Sequence, residues 1–81
     1  MPTKTKEETS SRDYVNSFAR GLEVIRVFTR AKPRMTLSEV AKATDMTRAT
    51  ARRFLLTLVQ EGYMESDNKH FMLRPKILDL G

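Results

Sequence analysis

The sequence predicts a mainly α-helical domain with a small β-hairpin, in the order of a winged helix-turn-helix. Three observations carry that expectation. Three consecutive segments repeat apolar residues at helical intervals. The second and third are separated by a short polar turn holding one apolar residue, Met46. After Gly62 the helical period gives way to two short β-prone runs around Asp67-Asn68-Lys69.

Residues 1–13 are polar, rich in Thr, Ser, Lys and Glu, and show no periodicity, so they read as a disordered tail. From Val15 onward Phe18, Leu22, Ile25 and Phe28 recur at helical spacing, with Val24 and Val27 widening the stripe. A first helix is expected from about Ser17 to about Arg30. Asn16 or Ser17 would cap it and Lys32-Pro33 would end it. All three phenylalanines of the helical stripes, Phe18, Phe28 and Phe54, are expected in the core.

Met35 reads as a single extended residue. Thr36-Leu37-Ser38-Glu39 has the form of a capping box and opens a short second helix burying Leu37, Val40 and Ala41. The second helix should fail around Ala43-Thr44-Asp45. Asp45 stands where a left-handed residue is wanted, which aspartate tolerates at modest cost. Thr47 caps a third helix, about Thr47–Glu61, with Ala51, Phe54, Leu55 and Leu58 on one face. Gly62 is its expected C-terminal stop. The hairpin, about Tyr63–Arg74, supplies the wing. Pro75 can open a further helix with Ile77, Leu78 and Leu80 as its stripe, so the chain reads as part of a longer protein. The domain proper is then residues 14–74, with 75–81 beginning a linker helix.

Composition limits the function. The 81 residues contain no cysteine and one histidine, His70, which leaves neither a disulfide framework nor a thiolate or His-based metal cluster. No nucleophile, base and orienting group can be assembled, so an enzyme and a cofactor are not expected. No apolar run reaches membrane-spanning length and the N-terminus has no signal-peptide character, which gives a cytoplasmic, membrane-free reading.

Lysine and arginine number 15 against 10 acids, a net charge of +5. The tail is neutral, because Lys4, Lys6 and Arg12 balance Glu7, Glu8 and Asp13. The excess therefore lies on residues 14–81, dominated by arginine, whose planar fork suits phosphates and guanine edges. The third helix carries no acid between Asp45 and Glu61, whereas an ordinary solvated helix face interleaves acids at four-residue steps.

These features make the third helix a recognition helix for the major groove of double-stranded DNA. Thr47 would give its hydroxyl to a phosphate. Arg48, Arg52 and Arg53 would pair with guanine, and Ala49 or the Thr50 methyl would touch a thymine methyl. Thr36, at the start of the second helix, is a further DNA-binding candidate. Asn68, Lys69 and His70 at the wing tip would follow a phosphate strand or the minor groove. The competing reading is that Asp67-Asn68 is only a turn former and His70 an exposed strand residue. Arg20, Arg34 and the tail's cations are further phosphate candidates. The alternative at the level of the domain is a winged-helix module for protein interaction or dimerisation without sequence-specific DNA binding.

The runs Ser17-Phe18-Ala19-Arg20-Gly21-Leu22-Glu23-Val24-Ile25, Met35-Thr36-Leu37-Ser38-Glu39-Val40-Ala41 and Thr47-Arg48-Ala49-Thr50-Ala51-Arg52-Arg53-Phe54-Leu55 resemble the DNA-binding domain of the IclR family of bacterial transcriptional regulators. The close, Phe71-Met72-Leu73-Arg74-Pro75-Lys76-Ile77-Leu78-Asp79-Leu80-Gly81, is similar too. The Thr47–Leu55 run most resembles the branch controlling protocatechuate and 4-hydroxybenzoate catabolism, the β-ketoadipate pathway. The resemblance implies a homodimer or tetramer on a palindromic promoter site. It also implies a small aromatic effector bound by a C-terminal domain that these residues do not include.

Overall fold

The computed structural model describes residues 14–75. In chain order the elements are α1 (Asn16–Arg26), β1 (Arg34–Thr36), α2 (Leu37–Thr44), α3 (Arg48–Gln60), β2 (Met64–Asp67) and β3 (His70–Leu73). The helix expected to begin at Pro75 falls on residues 76–81, outside the described residues, as does the tail expected over 1–13.

Helix α1 differs from expectation at both ends. Val15 is the capping residue and no side chain caps it, so neither Asn16 nor Ser17 performs that role. The helix stops at Arg26, four residues early, because the chain has a better local alternative. Thr29 and Lys32 exchange backbone hydrogen bonds of 3.3 and 3.1 Å, and Thr29 Oγ1 accepts a further one from Lys32 N. This tight turn through Arg30-Ala31 follows Val27-Phe28-Thr29, a β-branched and aromatic run with low helical preference. It leaves Phe28 buried in the core.

The chain then pairs where only an isolated extended residue was expected. β1 lies antiparallel to β3, with Met35 opposite Phe71, and β3 pairs antiparallel with β2, giving the order β1-β3-β2. The wing is thus a three-stranded sheet. Strand alternation puts Met35, Phe71, Met64 and Leu73 on its inner face, where they join the core. Arg34, Thr36, Glu65, Asp67, His70 and Met72 share the outer face. The hairpin closes through Asn68-Lys69, with Asn68 at φ 60°, a conformation asparagine tolerates better than most residues.

One cluster holds the elements together: Val24 from α1, Phe28 from the turn, Met35 from β1, Val40 and Ala41 from α2, Met46 from the interhelical turn, Ala51 and Leu55 from α3, and Met64 from β2. Thr44 is buried among them, its hydroxyl donating to the Val40 carbonyl at 2.7 Å. Both helices of the central motif end in the same way. After α2, Asp45 N donates to Lys42 O and Met46 N to Ala41 O; after α3, Gly62 N donates to Val59 O and Tyr63 N to Leu58 O. This paired pattern requires a left-handed residue, which is Asp45 at φ 59° in one case and Gly62 at φ 90° in the other. The pattern turns Met46 inward to plug the gap between the helices. Asp45 bears a conformational cost that glycine lacks, so Asp45→Gly is expected to raise stability by about 0.5–1 kcal/mol and Asp45→Ala to lower it. Urea denaturation of the two variants checks the opposite signs.

Candidate nucleic-acid interface

Helix α3 divides sharply between packing and exposure. Ala51 and Leu55 are wholly buried, with Phe54, Leu58 and Val59 leaning on the same core. On the opposite side Ala49, Arg53, Leu56 and Gln60 succeed one another at three- and four-residue steps, all exposed, and Arg52 and Thr57 flank them. Thr47 fixes where the helix starts: its Oγ1 accepts from Thr50 N at 3.1 Å and donates to Thr50 Oγ1 at 3.0 Å. With no acid in the first turn, the uncompensated positive end of the helix dipole points out of the motif beside Arg48, Ala49 and Arg52.

The ion pairs separate the cations into two groups. Lys32 pairs with Glu39 at 3.2 Å, Arg34 with Asp67 at 3.1 Å, and Arg20 with Glu23 at 3.5 Å. The arginines of α3 pair with no carboxylate among the described residues. Arg52 and Arg53 are therefore the free charges of the exposed face. Arg48 behaves differently. It sits at the edge of the core-facing side and its guanidinium turns back to donate to the Ser38 hydroxyl of α2. The sequence placed Arg48 with Arg52 and Arg53 as a guanine reader. In the structure it ties the two helices of the motif at their N-terminal ends.

The remaining predicted residues fall in two places. Thr36 closes the capping box at the start of α2: its Oγ1 accepts from Glu39 N at 3.2 Å and its own N–H donates to Glu39 Oε1 at 2.8 Å. Thr36 lies directly opposite His70 on the outer sheet face, and His70 is half-buried within β3 and off the wing tip. Asn68 and Lys69 alone form the tip and both are exposed. Sequence reasoning missed Ser38, and it missed the Arg34–Asp67 bridge that ties the wing's far strand to β1. A hydrophilic residue in a first helical turn and a charge pair distant in sequence gave no local signal.

The capping box makes a pH prediction. The Thr36 backbone N–H, and after it a hydrogen bond from Lys32, hold the Glu39 carboxyl below its ordinary value of 4.5. A carboxyl with a lowered folded-state value stabilises the fold above its ordinary value and loses that contribution as pH falls through the lowered one. Melting temperature measured below about pH 4.5 is expected to fall more steeply for the natural chain than for Glu39→Gln, which keeps the cap but cannot titrate.

Three helices, a tight turn between the second and third, a basic exposed face on the third and a three-stranded wing together define a winged helix-turn-helix DNA-binding domain. The IclR helix-turn-helix domain matches residues 17–68. The chain belongs to that family. It is 41% identical over 73 residues to the Pca regulon regulatory protein of Pseudomonas putida, covering 90% of this chain and 25% of that protein. It is 34% identical over 74 residues to the p-hydroxybenzoate hydroxylase transcriptional activator of Acinetobacter baylyi, covering 91% of this chain and 27% of that one. A crystal structure of a transcriptional regulator from Rhodococcus sp. RHA1 superposes with a TM-score of 0.80 at 62% identity, covering 84% of this chain and 27% of that chain. The chain thus spans about a quarter of the length of these relatives. They are regulators of transcription, and the two curated ones place the resemblance in the β-ketoadipate branch.

Proposed function

We propose that residues 14–74 bind double-stranded DNA sequence-specifically, with the N-terminal half of α3 in the major groove. The observation that carries this is the exposed, acid-free face of α3, where Arg52 and Arg53 stand without a carboxylate partner among the described residues, whereas Arg20, Lys32 and Arg34 are each held by a carboxylate. Arg53 lies on the same line of the helix as Ala49, and Arg52 beside it. These are the base readers, with Thr50 and Ala49 supplying methyl contacts. Thr47 and the α3 N-terminus take a phosphate, and Arg48 with Ser38 takes another beside Thr36. Lys69 and Asn68 at the wing tip follow the flanking backbone. His70 contributes from its place beside Thr36.

We infer that the regulator acts in the cytoplasm on genes of aromatic-acid catabolism, as a homodimer or tetramer on an inverted repeat. Residues 75 onward lead to a separate domain that binds a small aromatic effector. No membrane role is assigned; among the described residues no helix is long and apolar enough to cross a membrane. The competing reading, a protein-interaction module, is favoured by one observation only: the exposed apolar residues of α1. They lie on a helix other than α3, so they do not displace the DNA reading.

Selection from a random duplex library at two salt concentrations tests the proposal. Enrichment of a short half-site that persists at the higher salt is expected. Binding that collapses with salt and enriches no sequence would reduce the function to phosphate attraction.

A further inference from the structure

Helix α3 has two flanks. On the α2 side Arg48 and Ser38 stand together at the N-terminal ends of the two helices. On the other side a shallow cleft of about 540 Å³ opens between α1 and α3. Helix α1 contributes Asn16, Ser17 and Arg20 to it, and α3 contributes Thr50 and Arg53. Phe54 forms the floor: its ring lies 3.5 Å from where a Cβ on Gly21 would stand, which is how closely the two helices meet. Arg48 and Thr50 are two positions apart, so they point to opposite flanks of α3. Phe18, which periodicity placed in the core, is 67% exposed and lies outside this cleft.

The cleft is rich in donors, and no carboxylate is among its lining residues. Asn16 and Ser17 do not cap α1, so the amide and the hydroxyl are not spent there. Thr50 Oγ1 accepts from Thr47 Oγ1 at 3.0 Å, which leaves the Thr50 proton to be given elsewhere. Arg20 meets Glu23 at 3.5 Å, a contact within one helix between two side chains that are nearly half exposed. Such pairs are weak, and one long contact occupies few of the donors of a guanidinium. Two arginines from different helices, with hydroxyls and an amide between them, suit the oxygens of a phosphodiester.

We propose that this cleft holds a backbone phosphate of the DNA strand opposite the one met by Arg48 and Ser38, with Arg20 supplying the charge and Ser17 and Thr50 the hydroxyl bonds. The cleft site rests on the reading of α3 as the major-groove helix and deepens it. A helix is about 10–12 Å across with its side chains and the major groove is about 12 Å wide, so both flanks of a helix lying in the groove come up against a strand. The Arg48 side alone would clamp α3 on one wall. Arg20 reads no base. It fixes the depth at which Arg53, on the border of the cleft, meets the base edges. Arg34, another cation outside α3, is bound to Asp67 at 3.1 Å and lies outside the cleft.

Duplexes carrying the selected half-site are made with a neutral methylphosphonate at one linkage at a time and bound by the natural chain, Arg20→Ala and Arg26→Ala. Arg26 is the control, an arginine of the same helix outside the cleft. In the natural chain one linkage on the strand across the groove from Arg48 is expected to cost about tenfold or more, the worth of a hydrogen bond to a charged group. Arg20→Ala should bind all sequences about tenfold more weakly, with the slope of log affinity against log salt reduced by about one, and should be indifferent to that linkage. Arg26→Ala should stay as sensitive to it as the natural chain. Arg20→Ala that keeps the natural slope, or that keeps the natural sensitivity to every linkage, would overturn the proposal. Ser17→Asp is the second variant. An acid in the first turn favours a helix, so its melting temperature should hold or rise while its affinity falls about tenfold or more. Natural affinity in Ser17→Asp would empty the cleft of phosphate. Specific binding by the natural chain with an unaltered Arg20→Ala sinks the cleft alone, whereas a library selection that enriches no half-site sinks the major-groove reading, and the cleft with it.

Discussion

Arg52→Ala with Arg53→Ala is expected to abolish sequence-specific DNA binding and to leave the melting curve in place. Each guanidinium in a bidentate contact with a base is worth about 1–3 kcal/mol of discrimination, so the pair together accounts for about 2–6 kcal/mol, or from about thirtyfold to more than ten-thousandfold in affinity. The fold should not notice. Both side chains are exposed, neither holds a carboxylate among the described residues, and alanine is at least as good a helix former as arginine. Arg48→Ala should behave differently. Its side chain is anchored to Ser38, so its loss should weaken binding to all sequences alike and flatten the salt dependence by about one phosphate contact. Competition binding against single-base variants of the selected site separates these effects. A double variant that still prefers the same site would remove α3 from the major groove.

What could be read from the sequence was what local chemistry decides. Thr36 with Glu39, Thr47 ahead of α3, Asp45 in the interhelical turn and Asn68 in the hairpin each solve a backbone problem posed within a few residues, and each sits where expected. The features that escaped depend on partners distant along the chain. Arg34-Met35-Thr36 is too short to show strand alternation and becomes β1 only because β3 lies alongside. Phe18 shares a helical stripe with buried residues, but spacing says which residues share a face and nothing about what covers it. Arg48 looks like Arg52 and Arg53 in a row of letters. Only the crossing of α2 and α3 brings Ser38 within its reach. The basic face of α3 was therefore legible as a pattern, while the bond from Arg48 to Ser38 was not.

Leu55→Ala should produce the other large loss, by the opposite route. Leu55 is the largest wholly buried side chain of α3, next to Ala51 in the cluster joining all three helices to the wing. Truncating it removes apolar contacts and leaves a cavity, at a cost of about 2–5 kcal/mol. A domain of this size has only a few kcal/mol of stability in total, so the variant should be largely unfolded at 37 °C, with its melting temperature lowered by about 10–25 °C. Its binding loss should follow the folded fraction. Cooling, or saturating operator DNA, should restore it, because a ligand that binds only the folded state draws the equilibrium back. The arginine variants should respond to neither treatment. Leu55→Met, which nearly conserves volume, should stay within about 1.5 kcal/mol of the natural chain. A melting temperature for Leu55→Ala within two or three degrees of the natural one would mean that α3 is held to the fold by something other than this contact. The rigid presentation of Arg52 and Arg53, which lie on the same helix one turn or less before Leu55, would then lose its physical basis.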